Sequence, residues 1–109
     1  MSAEFYIRFK EHSWYEHHLA DLREMLRNLP TYLKEVDEVE YWLRGSEEGK
    51  NSKDDWLFDV RIFFRPHDIL MEVSTHPSSI ERDIGNFTRA ISAKTHVDIV
   101  DDDGEAANF

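Results

Sequence analysis

The sequence predicts an α+β fold, a two-layer sandwich in which a mainly antiparallel five-stranded sheet carries two helices on one face. Three observations predict it. Apolar residues recur with period two, then at four-three spacing, and the two periods alternate along the chain in the order β-α-β-β-β-α-β. Proline, glycine and aspartate stand where the period changes. Each helical pattern has one apolar stripe and each strand pattern one apolar face, the patterning of two layers that share a core.

The first strand is read from Phe5, Ile7 and Phe9 alternating with Glu4, Tyr6, Arg8 and Lys10. A helix follows, with Tyr15, Leu19, Leu22, Leu26 and Leu29 as its stripe, a Ser13/Glu16 capping box at its start and Pro30 just past its end. Alternation returns with Val39, Tyr41 and Leu43, opposite Glu38, Glu40, Trp42 and Arg44. A polar loop spans 45–55. The clearest strand sets Trp56, Phe58, Val60, Ile62 and Phe64 on one face and Leu57, Asp59, Arg61, Phe63 and Arg65 on the other. Arg65-Pro66-His67-Asp68 reads as a turn, after which Ile69, Met71 and Val73 return as a hairpin partner. The second helix starts at Pro77 or at a Ser78/Glu81 box. Its stripe is Ile80, Ile84, Phe87 and Ile91, and the interior Gly85 points to close packing on the sheet. Val97 and Ile99 form the last strand.

This order resembles a ferredoxin-like split β-α-β arrangement with one added strand. A length of 109 residues suits one domain over 1–100, and 101–109 reads as an acidic, flexible C-terminal tail. Disulfides, thiolate chemistry and cysteine metal sites are excluded by the lack of cysteine. The opening MSAEFYIRFK has no apolar run of signal-peptide length, and no stretch approaches the ~18 apolar residues of a transmembrane helix, so a cytoplasmic location is expected. The net charge of −10 disfavours nucleic acid and anionic membranes as partners and favours a basic one.

Strand alternation also fixes what lies on the sheet face away from the helices. That face is expected to show Tyr6, Arg8, Lys10, Trp42, Arg44, Leu57, Arg61, Phe63, Arg65, Leu70 and His96, with Glu38, Glu40, Asp59, Glu72 and Asp98 among them. Four of the eight arginines fall here beside three aromatics, the residue types enriched at protein interfaces. Acid gathers at Glu35 to Glu40, in the loop carrying Glu47, Glu48, Asp54 and Asp55, and from Asp98 to Glu105. The residues expected to meet a protein partner are therefore Tyr6, Arg8, Trp42, Arg44, Arg61, Phe63 and Arg65 on the sheet, with Glu47, Glu48, Asp54 and Asp55 in the loop.

No catalytic, metal or cofactor signature is present. His12/Glu16 and His17/Asp21 are spaced to share a helix face, but each pair lacks a third ligand, and His-Glu-x-x-His is absent. Asp101-Asp102-Asp103-Gly104-Glu105 fails as a calcium loop, because its closing glutamate would fall past residue 109. Small size, acidity, lack of cysteine and exposed aromatics together resemble bacterial toxin-immunity proteins. That resemblance implies direct binding of a cationic toxin domain, with acidic loops steering it and Trp42, Tyr6 or Phe63 as anchors. Two other readings use the same fold. One is a dimeric ferredoxin-like enzyme with His96 or His12 in a pocket between helices and sheet. The other is a homodimeric adaptor joined through the open face. Stacked single-stranded RNA on that face would need an RNP-like motif, and none is present.

Overall fold

In the computed structural model, residues 3–45, 58–75 and 77–107 are described. The described residues form an α+β fold, with a six-stranded antiparallel sheet and three helices. Its elements are β1 (Ala3–Phe9), α1 (His12–His17), α2 (Leu19–Arg27), β2 (Tyr32–Val36), β3 (Glu40–Leu43), β4 (Val60–Phe64), β5 (Asp68–Val73), α3 (Ser78–Ser92) and β6 (Val97–Asp101). Strands lie in the order β2-β3-β4-β5-β1-β6. The helical segment after β1 carries the chain across the sheet to its far edge, and β2 to β5 then return as a meander. Among the described residues no helix is long and apolar enough to cross a membrane.

The expected five strands, two helices and ferredoxin-like order are met only in part. The missed strand is β2, and its disguise is a register shift between Tyr32 and Lys34 that leaves Leu33 exposed. Tyr32 pairs with Leu43 and Glu35 with Tyr41 on the helix side, whereas Lys34 pairs with Trp42 on the other, so no simple alternation survives. Between β2 and β3, Asp37 and Glu38 take φ of 53° and 62°, and Val39 N–H donates to Val36 O at 3.2 Å. Both central residues are left-handed, as a two-residue hairpin turn of primed type requires. The turn claims Val39, which is 46% exposed instead of joining Tyr41 and Leu43 in the core.

One expected helix is two. His18, at φ −117° and ψ 14°, separates α1 from α2; its Nδ1 lies 2.7 Å from Trp14 O, and its ring stacks on Trp14 at 4.1 Å. The Ser13/Glu16 box is not used, since Glu11 is the N-cap of α1 and no side chain caps it. In α3 Pro77 is the N-cap and Ser78 the first helical residue, again without a side-chain cap. Gly85 is buried, and a Cβ there would first meet the Arg89 guanidinium of the same helix at 3.0–3.3 Å.

The core is one cluster. Ile7, Tyr41, Leu43, Val60, Ile62, Phe64, Ile69, Met71 and Val73 from the strands meet Tyr15, Leu22 and Leu26 from α1 and α2, and Ile80, Ile84, Phe87 and Ile91 from α3. Burial of this kind contributes about 1.5–3 kcal/mol per large apolar side chain. Two buried carboxylates tie loops to it. Asp83 of α3 is fully buried and accepts the Thr31 N–H at 2.9 Å, holding the entry to β2.

Asp59 was expected on the open face and is instead buried. Its carboxylate accepts from Gly45 N–H at 2.6 Å and from the Thr75 hydroxyl, and its backbone carbonyl accepts from Ser74 N–H at 2.8 Å. Turning Asp59 inward ends the strand at Val60 and throws Phe58 onto the open side, where its ring lies 4.8 Å from Trp42. Trp56 and Leu57 lie outside the described residues. After β6 the chain turns back: Val100 bridges Ala106, Asp101 N–H donates to Glu105 O at 2.8 Å and Ala107 N–H to Ile99 O at 2.9 Å.

Candidate functional site: the open face of the sheet

Registers between strands arrange the uncovered face into rows that cross it at right angles to the chain. The central row runs Phe63, Leu70, Tyr6, Val100 over β4, β5, β1 and β6, with Glu40 of β3 at its end. On one side lies Lys34, Trp42, Arg61, Glu72, Glu4. On the other lies Asp68, Arg8, Asp98, with Arg65 beside Asp68. An apolar row is thus framed by two rows rich in charge. Protein interfaces in general combine an apolar centre with a polar rim in this way.

Contacts within the rows hold the side chains in place. Arg61 lies over Phe58 at 4.7 Å and over Phe63 at 5.5 Å. Its Nε donates to Glu72 at 3.1 Å, and Glu40 lies 3.9 Å from its Nη1. Glu40 also accepts the Trp42 indole N–H at 2.6 Å, while Lys34 Nζ stands 4.3 Å from the centre of the Trp42 ring. Tyr6 is flanked by Arg65 at 5.3 Å and Arg8 at 5.5 Å. Arg65 makes a two-point bond to Asp68, at 2.6 and 2.8 Å, which raises its pKa further. Burial and the neighbouring Glu4 push the Tyr6 phenol up, so it stays protonated as a donor at neutral pH. Guanidinium planes on aromatic faces are favourable contacts that keep the charge wet.

Of the expected sheet residues, Tyr6, Arg8, Trp42, Arg61, Phe63 and Arg65 are brought together here. Arg44 follows β3 one row further out, where its N–H donates to Thr31 O at 2.8 Å. Glu47, Glu48, Asp54 and Asp55 lie outside the described residues, as does His76. His96 is exposed just before β6, and its carbonyl accepts the Lys10 N–H at 3.1 Å. Sequence reasoning missed four contributors as site residues. Leu70 and Val100 were legible, because each is an apolar residue at a position where alternation calls for a polar one. Lys34 sits on a strand hidden by its bulge, and Phe58 required knowledge of the turn at Asp59.

The row ends in acid. From Val97 to Ala107 the chain has Asp98, Asp101, Asp102, Asp103 and Glu105 and no lysine or arginine. A groove of about 600 Å³ lies here, lined by Arg8, Val97, Asp98, Ile99, Val100, Gly104, Ala106 and Ala107. Carboxylates of Asp101, Asp102 and Asp103 fall within 4.8 Å of one another. Asp101 Oδ1 accepts the N–H groups of Asp103 and Glu105 at 2.9 and 3.0 Å, so the turn itself accounts for that cluster. Compared with known proteins, the chain matches no family model, and no curated protein and no solved structure is significantly similar to it.

Proposed function

We propose that the protein is a small binding module that holds another protein on the open face of its sheet, and that its partner is a basic domain of the kind an immunity protein neutralises. The observation that carries this reading is the apolar row Phe63–Leu70–Tyr6–Val100, framed by charge and running out at an edge that carries acid alone. Arg61 and Arg65 are already paired with Glu72 and Asp68, and Arg8 stands in register between Asp68 and Asp98, so the face adds no strong positive potential to repel a cationic domain. Surplus acid at the β6 edge speeds the encounter, and the aromatic row supplies contact area. A cytoplasmic protein guarding its own cell from a toxin fits this chemistry.

The test is direct. The purified chain is mixed with a basic toxin domain encoded beside it, and binding is followed by calorimetry and by protection of growing cells. Tyr6→Ala with Phe63→Glu is expected to weaken the complex by ~1,000-fold, the loss of two central anchors at about 2 kcal/mol each. A chain that neither binds nor protects removes the reading.

A second reading is favoured by one observation. Arg61 neighbours Glu72, Arg65 neighbours Asp68 and Phe63 neighbours Leu70 across the β4–β5 pair. A two-fold axis along the strands between them would set each residue over its complement in a second copy, as a two-fold dimer interface requires. Light scattering on the chain and on Arg61→Glu/Trp42→Ala separates the readings. A dimer that dissociates on substitution supports self-association, and a monomer before and after excludes it.

A further inference from the structure

The three rows of the open face carry their charge unevenly from one edge of the sheet to the other. The Arg61–Glu72 and Arg65–Asp68 pairs straddle the line between β4 and β5 and cancel there. Beyond them, Lys34 stands at the β2 edge, over the Trp42 ring. On the other side Glu4 and Asp98 stand on β1 and β6 with Arg8 between Asp68 and Asp98, and the acids of the turn after β6 follow. The apolar row Phe63–Leu70–Tyr6–Val100 starts at the neutral middle of the sheet and ends in the acidic part.

The dimensions of the rows select what can lie on them. Strands stand ~4.8 Å apart, so the apolar row spans about 14 Å, and residues two apart on a strand set the charged rows about 7 Å to either side. Side chains on one face of a helix repeat about every 5.4 Å along its axis, and the whole helix is about 10–12 Å wide. A helix laid across the strands therefore sets roughly one apolar residue over each strand of the row, with its flanks over the charged rows. An extended segment laid the same way repeats its side chains about every 7 Å and falls out of step with the strands. Strand addition at the acidic edge is blocked as well. Val100 bridges Ala106 and Ala107 N–H donates to Ile99 O at 2.9 Å, so the chain's own return occupies that edge. Where the row reaches β6, the groove of about 600 Å³ that includes Arg8, Asp98, Val100 and Gly104 has room for a lysine or arginine side chain beside Asp98.

On the reading that the open face is the binding surface, we infer that the element it holds is an amphipathic helix of the partner. The helix lies across the strands, with apolar residues three and four apart over the central row. Its basic end lies over β1 and β6, and its other end, over β2 and β3, is uncharged or acidic.

A displayed library of random peptides, each long enough for about four helical turns, tests this when selected on the whole chain and counter-selected on Tyr6→Ala/Phe63→Glu. Clones that need the face are expected to carry apolar residues three and four positions apart, with lysine and arginine gathered at one end. Against such a clone made as a synthetic peptide, Asp98→Lys should weaken binding by at least ~10-fold and Lys34→Glu by no more than ~3-fold. Both side chains are exposed, so neither change puts folding at risk. Face-dependent clones with period-two patterning, or with base spread evenly along them, overturn the helix and leave the face a binding surface. Equal losses from the two charge reversals, or tighter binding to Lys34→Glu, overturn its placement. If no clone depends on the face, the helix and the reading on which it rests fall together.

Discussion

The two faces of β4 share five residues and one backbone, and they are built to opposite ends. Val60, Ile62 and Phe64 turn toward the helices and are buried, while Arg61 and Phe63 between them stay half-exposed. The helix side is apolar without interruption. The open side lays a guanidinium across two aromatic rings and pairs it with a carboxylate. Most of the packing energy therefore resides on the helix side, and the open side is under less packing constraint. A surface that only needed to be wet would not keep phenylalanine, leucine and tyrosine in register across three strands.

The largest expected effect breaks this comparison directly. Ile62→Ala leaves a cavity among Tyr41, Phe64 and Met71 and should cost about 3–4 kcal/mol in urea unfolding. Phe63→Ala, one residue away, should cost about 1 kcal/mol, because its ring is only half-buried, beside Leu70 and 5.5 Å from the Arg61 guanidinium. Equal costs would mean that the open face contributes to the core, and its reading as a surface would fall.

Next in size is the loop anchor. Asp83→Ala removes the buried acceptor of Thr31 N–H and should cost about 1–3 kcal/mol. This tie shows what periodicity reads and what it cannot. The stripes Tyr15–Leu22–Leu26 and Ile80–Ile84–Phe87–Ile91, and the alternation of β1, β4 and β5, were legible because burial imposes period on residue type. Asp83 and Asp59 were not, since each spends a polar residue on a partner 14 or more positions away, and the bulge at Leu33 was not, since it breaks the alternation of its own strand. The site divides the same way. Tyr6, Trp42, Arg61 and Phe63 follow from alternation alone, whereas Phe58 and Lys34 lie where alternation is broken. His12 and His67, 55 positions apart, bring their rings to 4.8 Å at the turn that the Tyr15 hydroxyl holds, and no local pattern announces that contact.

Tyr15 gives the third effect and a pH window. Tyr15→Phe removes the donor to Arg65 O and Asp68 O and should cost about 1 kcal/mol. Burial, with Asp68 nearby, pushes its phenol up to about 12 from the usual 10. The unfolded chain then releases this proton before the folded one does. The stabilisation is fully present below pH 10 and is lost as pH rises through about 12, so unfolding midpoints should fall over that interval in the wild-type chain and fall less in Tyr15→Phe.

The smallest effect belongs to the edge hairpin, where β2 meets α2. Arg27 bonds Glu35 at 2.6 and 3.0 Å, and this pairing holds the Glu35 carboxyl below the usual carboxylate range despite an opposing desolvation effect. A lowered folded pKa means that the contribution is present above the unfolded carboxylate range and is lost as pH falls through the folded value. Carbon-detected NMR titration of Glu35 should therefore show its midpoint below the usual carboxylate range, and Arg27→Gln should move it back up. The change in unfolding stability should be slight, because the pair is open to water on one side. A Glu35 midpoint unmoved by Arg27→Gln would show that α2 is not docked on β2 as described. The contrast between faces would then stop at β3.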